Sequence, residues 1–104
     1  MFTAIQARNI ADEKYNHMYY RLYKYYSAGI MRHITKTAKR GGLKCEYHNG
    51  CNSRMCRDVF AQIANELIKY GYHCNVRIEN AKNKKYKYIV ITIDWEDDAD
   101  FIVT

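Results

Sequence analysis

Cysteine and histidine side chains cluster in the middle of the chain at a spacing that can hold a metal ion. Cys45, His48, Cys51 and Cys56 form the pattern C-x2-H-x2-C-x4-C. Zinc prefers four nitrogen and sulfur ligands in a tetrahedron, so a structural zinc ion is the one possible cofactor. Buried cysteines that pack as small apolar residues, or a disulfide or redox pair, explain the same residues. If this segment is a strand, Cys45 and His48 point to opposite faces, which favours packing.

A glycine turn and a helix start follow this cluster. The chain passes the turn at residues 49–50 and enters a helix that Asn52 or Ser53 caps. Free backbone N–H groups and the helix dipole at such a start attract an anion, and Arg54 and Arg57 can close on a phosphate. An ordinary cap with solvated arginines is the other interpretation.

A third group of basic and aromatic residues follows one long helical segment. The basic residues are Arg21, Lys24, Arg32, Lys36, Lys39 and Arg40, and the interleaved tyrosines are Tyr20, Tyr23 and Tyr25. Cations attract phosphates and a tyrosine ring stacks on a base, so the combination suits a nucleotide or single-stranded nucleic acid. Any helix in water also needs a charged outer face, so this interpretation stays open as well.

Residue patterns typical of catalysis are missing from the sequence. It contains no Ser, His and Asp arrangement, no H-E-x-x-H motif and no pair of carboxylates at a catalytic spacing. We therefore expect a binding protein and not an enzyme.

The periodicity of the apolar residues predicts the elements that position these side chains. A short opening helix begins after Thr3, and a longer helix covers about residues 13–40, with Gly29 as a candidate kink and Gly41 at its end. Strands are predicted at residues 43–48, 73–78 and 88–95, and an amphipathic helix at residues 53–70. The last strand is apolar on both faces, which favours a central position in the sheet.

This order of elements predicts an α+β fold. A long N-terminal helical region precedes strand-helix-strand-strand with a small three-stranded mixed sheet, in which the first two strands pair in parallel and the last two form an antiparallel hairpin. We expect residues 1–95 to form a single compact domain, helical over 1–42 and β-α-β-β over 43–95, and residues 96–104 to form an acidic C-terminal tail. Because so small a sheet buries little area, we expect a homo-oligomer.

The charge and hydropathy of the chain limit the kinds of partner that we expect. The net charge is +6, and residues 12–44 carry eight basic side chains against two acidic ones. No stretch approaches the roughly 18 apolar residues of a membrane span, and no secretory leader is recognisable. We expect a reduced cytosolic setting, no membrane, and an anionic partner.

The pattern of these elements resembles a loose class of small bacteriophage α+β proteins. The similar positions are T-A-x-x-A-R (Thr3, Ala4, Ala7, Arg8), I-x-x-x-I with a glycine (Ile30, Ile34, Gly41), I-x-x-x-L-x-x-x-G-Y (Ile63, Leu67, Gly71, Tyr72) and a terminal I-x-W (Ile93, Trp95). The resemblance implies a phage origin, the host cytoplasm as location, and a helix-rich domain without enzymatic activity.

These features together predict a phage-encoded protein that captures an anionic ligand, most concretely a nucleotide signal of a host antiphage defence, and sequesters it without cleavage. The predicted ligand-binding residues are Arg32, Lys36, Arg40, Asn52, Ser53, Arg54 and Arg57, with Tyr23 or Tyr47 stacked on a base. The alternatives are a nucleic-acid-binding protein, an inhibitor of a host nucleic-acid enzyme, or a minor virion or assembly protein. The main prediction requires the cations of both helices to converge in one pocket.

Overall fold

A computed structural model describes residues 3–50, 53–81 and 86–96. The elements are α1 (Ala4–Lys39), β1 (Lys44–Asn49), α2 (Arg54–Lys69), β2 (His73–Asn80) and β3 (Lys87–Asp94). This confirms an α+β fold in which a long N-terminal helix precedes strand, helix and two strands. Apart from Glu96, the predicted acidic tail lies outside the described residues.

Helix α1 is continuous where the sequence predicts two helices. Thr3 begins it with a capping box: its side chain accepts from the N–H of Gln6 at 3.1 Å, and the Gln6 side chain accepts from the N–H of Thr3 at 2.9 Å. Polar residues 12–14 interrupt the apolar stripe, but they do not interrupt backbone hydrogen bonding, and the chain contains no proline. Gly41, at φ 83°, follows the helix end in the left-handed conformation that glycine adopts readily.

Strand β3 lies in the centre of the sheet, whose order is β1-β3-β2. This confirms the position predicted from its two apolar faces. Both neighbours pair with β3 in antiparallel fashion. β1 and β2 therefore point the same way without touching, and the prediction of a mixed sheet with these two strands paired in parallel is wrong. The helix between them carries the chain across the sheet, and β3 inserts into the gap.

The hydrophobic core lies between one face of the sheet and the two helices. Its buried members are Tyr26, Ile30, Ile34, Cys56, Val59, Phe60, Ile63, Ala64, Leu67, Ile89, Ile91 and Ile93. Only the second half of α1 contributes, because every residue from Ala4 to Met18 is exposed. The first half of α1 thus extends beyond the core. No helix in the described parts of the chain is long and apolar enough to cross a membrane.

Candidate functional site

Three tyrosines on successive turns of α1 determine how this helix lies on α2. Their hydroxyls donate to side chains of α2, and the pairs are Tyr15 with Asp58, Tyr19 with Gln62 and Tyr23 with Glu66. Each pair is 43 residues apart in the sequence. Because this offset is constant, the two helices run in the same direction along their contact.

The parallel register separates the two groups of cations that were predicted to share a pocket. With an offset of 43 residues, Arg54 lies level with Ala11 of α1. Arg32 lies 21 residues beyond Ala11 (32 − 11), which is about 30 Å at a rise of 1.5 Å per residue. Lys36 and Arg40 lie still further along. The two groups of cations therefore do not converge within one chain, contrary to the sequence-based expectation.

The predicted phosphate site at the start of α2 has an ordinary helix cap. Ser53 is the N-cap residue, and its side chain accepts from the N–H of Cys56 at 3.1 Å. Arg54 and Arg57 are exposed on the first turn and form no ion pair with another described residue. Asn52 lies outside the described residues. Anion binding at this helix start stays a prediction.

The two tyrosines predicted to stack on a base face the protein instead. The hydroxyl of Tyr23 donates to Glu66 of α2. Tyr47 packs its ring against Phe60 and His33, with ring centroids 6.2 and 5.8 Å apart. Its hydroxyl lies where a Cβ on Gly29 would be only 3.0 Å away. Gly29 thus permits the close approach of Tyr47 within a helix that continues through this position.

The cations of α1 share one exposed face, which we call the basic face. It comprises Lys14, Arg21, Arg32, Lys36 and Lys39, all exposed, together with Tyr25, which is 67% exposed. At about 100° per residue these side chains fall within a sector of about 60° around the helix axis. The two acidic residues of α1, Asp12 and Glu13, lie outside that sector. Among the residues that the structure describes, none of the five cations has an ion pair.

Sequence reasoning found most of the basic face but missed one of its members. Lys14 was not included, although its spacing of seven residues from Arg21 places both on one side of a helix. Lys24 lies outside the face, about 60° from its edge around the helix axis, and its Nζ lies 4.7 Å from the ring centroid of Tyr20. Tyr25, and not Tyr23, is the aromatic residue that lies between the cations.

A ring of polar contacts covers the other face of the sheet. Its contacts are Glu46 with His48 at 3.1 Å, Arg77 with Glu46 at 3.2 Å, Arg77 with Glu79, and the hydroxyl of Tyr88 donating to Glu79 at 2.9 Å. The rings of His48 and Tyr88 are stacked, with centroids 5.5 Å apart. Sequence analysis did not predict this ring, because its members come from all three strands.

These polar contacts hold charged side chains on an open surface of the sheet. Hydrogen bonds from His48 and Arg77 lower the pKa of Glu46, and hydrogen bonds from Arg77 and Tyr88 lower the pKa of Glu79. Each carboxylate is therefore ionised and already occupied by its neighbours. Beneath them Val90 is 0% exposed. The polar side chains of the ring cover this valine, so both faces of the central strand are shielded from water.

The predicted zinc ligands do not come together in the described part of the chain. Cys45 is half-buried on the helix side of β1, whereas His48 lies on the opposite face. Cys56 is 1% exposed and its sulfur belongs to a disulfide bond, and Cys51 lies outside the described residues. No three His, Cys, Asp or Glu residues among those described are grouped for a metal ion.

The two free thiols of the described residues are poorly reactive at neutral pH. Burial raises the pKa of Cys45, and burial together with Asp94 raises the pKa of Cys74 to about 11. Both side chains are therefore protonated thiols near neutral pH, which are weak nucleophiles. They pack against the core as apolar residues.

A cavity of about 520 Å³ lies beside the contact between the two helices. Its lining residues are Tyr23, Ser27, Ile30, Met31, Ile63, Glu66, Leu67, Tyr70 and Tyr72. Glu66 is the one charged side chain among them. The hydrogen bond to Glu66 raises the pKa of Tyr23. Sequence analysis missed this cavity, because its walls come from two helices and the segment that follows α2.

Comparison with known proteins found no relative of this chain. It matches no family model, no curated protein and no solved structure. The resemblance to bacteriophage proteins therefore stays a prediction. Conclusions about function depend on the residues and the geometry described above.

Proposed function

We propose that the protein is a non-catalytic binding protein for nucleic acid, and that single-stranded nucleic acid lies along the basic face of α1. The observation that carries this proposal is the set of five exposed cations on one side of the helix, with no ion pair among the described residues. Unpaired cations in a row attract a phosphate backbone and release its counterions on binding. Tyr25 lies among them and offers a ring on which a base can stack.

The length of the basic face favours a polymer over a single nucleotide. Lys14 and Lys39 are 25 residues apart, which is about 38 Å along the helix. In a helically stacked strand successive phosphates advance about 3.4 Å along the axis, so the face can follow up to roughly ten of them. A mononucleotide would reach only one or two of these cations. A strand can contact all five.

Sequestration of a nucleotide signal from a host defence requires a different arrangement. Arg32, Lys36 and Arg40 of α1 lie about 30 Å or more from the cations at the start of α2 at the helical rise per residue. A pocket that contains both groups would have to form between copies of the chain. The packing of the single chain therefore favours nucleic-acid binding, the alternative that the sequence left open.

The test is a binding titration with a fluorescently labelled oligothymidine of about 12 nucleotides, a length that matches the roughly ten phosphates of the face. The triple variant Arg21→Ala, Arg32→Ala and Lys36→Ala removes three cations from the basic face. We expect weaker binding and a salt dependence, as log K against log salt concentration, that becomes less steep by about 0.7 per lost phosphate contact. Fluorescence anisotropy at several salt concentrations gives both quantities.

A matched variant removes the same charge elsewhere. Arg54→Ala, Arg57→Ala and Lys69→Ala changes three exposed cations of α2 and should leave most of the affinity and the salt slope in place. Equal losses in the two variants would show that only net charge matters. A greater loss in the α2 variant would place the nucleic acid at the start of that helix. Either result contradicts binding on the basic face.

A further inference from the structure

We propose that the cavity between α1 and α2 is a separate binding site for an organic ammonium head group. Its walls combine the rings of Tyr23, Tyr70 and Tyr72 with the carboxylate of Glu66. A cation over an aromatic face is attracted by the ring quadrupole, and several rings beside one carboxylate are the usual surroundings of a bound quaternary ammonium group. A volume of about 520 Å³ is within the range of small-molecule sites.

Two of the three rings are held in place before any ligand binds. The hydroxyl of Tyr23 donates to Glu66, and Tyr72 makes an edge-to-face contact with Trp95 at a centroid distance of 6.1 Å. Tyr70 is 83% exposed, so it forms an outer wall of the cavity. Preorganised walls reduce the entropy lost on binding.

The charge in the cavity selects a cation. Both carboxylate oxygens of Glu66 accept hydrogen bonds from neutral groups, one from Tyr23 and one from Gln62 at 3.2 Å. No described Lys or Arg forms an ion pair with Glu66. Its negative charge is therefore not compensated within the described structure. A phosphate would be repelled here, which distinguishes this cavity from the basic face.

The apolar part of the wall distinguishes an alkylated ammonium from a small hydrated ion. Ile30, Ile63 and Leu67 line the cavity beside the rings. Methyl groups around a nitrogen bury well against such side chains, whereas a metal ion or ammonium ion would lose its water without replacement ligands. The geometry thus favours a trimethylammonium group.

Choline and its uncharged isostere 3,3-dimethylbutan-1-ol test this site, because they differ in charge and hardly in shape. Isothermal titration or chemical-shift changes of the full chain give both affinities. We expect saturable choline binding and an isostere that binds at least about tenfold more weakly. Equal affinities for the two compounds, or no saturable binding of choline, would overturn the proposal.

Two substitutions test whether choline binds in the cavity. Glu66→Gln keeps an acceptor for Tyr23 but removes the charge, and should lower choline affinity about five- to tenfold without weakening the isostere. Glu13→Gln, an exposed residue of α1 outside the cavity, should change neither. Unchanged choline affinity in Glu66→Gln would contradict the role of the carboxylate.

A second pair of variants changes two exposed tyrosines. Tyr70→Ala removes an exposed ring of the cavity, and Tyr86→Ala removes a ring that is 67% exposed and does not line it. Only the first should weaken choline binding, by about threefold or more. If both variants weaken choline binding equally, or neither weakens it, the rings do not hold the cation. Since none of these residues belongs to the basic face, the result is independent of nucleic-acid binding.

The same head group occurs on a free small molecule and on a trimethyllysine side chain. Titration with a short peptide that contains trimethyllysine distinguishes these sources. A peptide that binds at least about tenfold more tightly than choline would identify a protein side chain as the ligand. Equal or weaker peptide binding would identify the free compound.

Discussion

Tyrosine supplies much of the contact between α1 and α2. Tyr15, Tyr19 and Tyr23 place their hydroxyls on polar groups of α2, and Tyr26 packs its ring against Phe60 with centroids 5.0 Å apart. A tyrosine ring buries apolar surface while its hydroxyl finds a partner. A chain with three leucines and eleven tyrosines can thus join two helices through residues that also tolerate water.

The Tyr23–Glu66 hydrogen bond should make the free energy of unfolding fall as the pH becomes alkaline. The hydrogen bond to Glu66 raises the pKa of Tyr23 above its ordinary value of 10.0. The contribution to stability is therefore complete below pH 10 and is lost as the pH rises through the folded-state pKa. We expect Tyr23→Phe to lower the free energy of unfolding by about 1 kcal/mol at pH 7.5, and by less at pH 11. Urea titrations at both pH values measure this difference.

Tyr20→Phe, on the same helix, is the control for Tyr23→Phe, because it removes a hydroxyl of the same kind. Tyr20 is 55% exposed and has no hydrogen bond to a carboxylate in the described structure, so its substitution should leave the pH dependence unchanged. A Tyr23→Phe variant whose loss grows with pH would contradict the direction of the shift.

Strand β3 is the element on which the sheet depends. It pairs with both other strands, and it is covered by the helices on one face and by the polar ring on the other. Ile89, Ile91 and Val90 are each 0% exposed. Residues of β2, at the edge, are exposed or half-buried. The same type of side chain therefore contributes differently in the two strands.

Two isoleucine substitutions compare the centre of the sheet with its edge. Ile91→Ala should lower the free energy of unfolding by about 2–5 kcal/mol, because it leaves a cavity in the core. Ile78→Ala, at a position 44% exposed, should lower it by less than about 1 kcal/mol. Equilibrium urea unfolding gives both values. Similar losses would mean that β3 is not the central buried strand.

The whole molecule is elongated because α1 is longer than the body it covers. Its 36 residues extend about 54 Å at the helical rise. The radius of gyration is 17.8 Å, against about 13 Å for a compact domain of this length. The helix packs on the core only from Tyr19 onward. The basic face continues along both halves and so extends beyond the rest of the fold.

Hydrogen exchange should divide α1 into two halves. Within residues 3–50, 53–81 and 86–96, the contact of Tyr15 is the one interaction that joins residues 7–18 to another element. Their amides should therefore exchange faster than those of residues 26–34, which include the buried Tyr26, Ile30 and Ile34. Mass spectrometry of exchanged peptides at low protein concentration measures this. Equal protection of both halves would mean that a second copy covers the first half, as in the homo-oligomer that the sequence predicts.

Local patterns in the sequence were sufficient for the type and limits of most elements. Thr3 followed by Gln6 indicates a helix start, Gly41 indicates its end, and the two apolar faces around Ile91 indicate a central strand. The basic face was also predictable in large part, since the helical period alone places Arg21, Arg32 and Lys39 on one side. These features depend on neighbours within a few residues of each other.

The arrangement of the elements relative to each other depended on the tertiary structure. The offset between α1 and α2 keeps Arg32 and Arg54 apart, and it depends on tyrosine contacts between residues 43 positions apart in the sequence. The strand order, the polar ring around Arg77 and the cavity beside Glu66 likewise join residues from separate elements. Tyr23 and Tyr47 show why the sequence could not place such residues. A tyrosine has an apolar ring and a polar hydroxyl, so it is suited both to a core and to a surface. Only the packing of distant segments selects between the two.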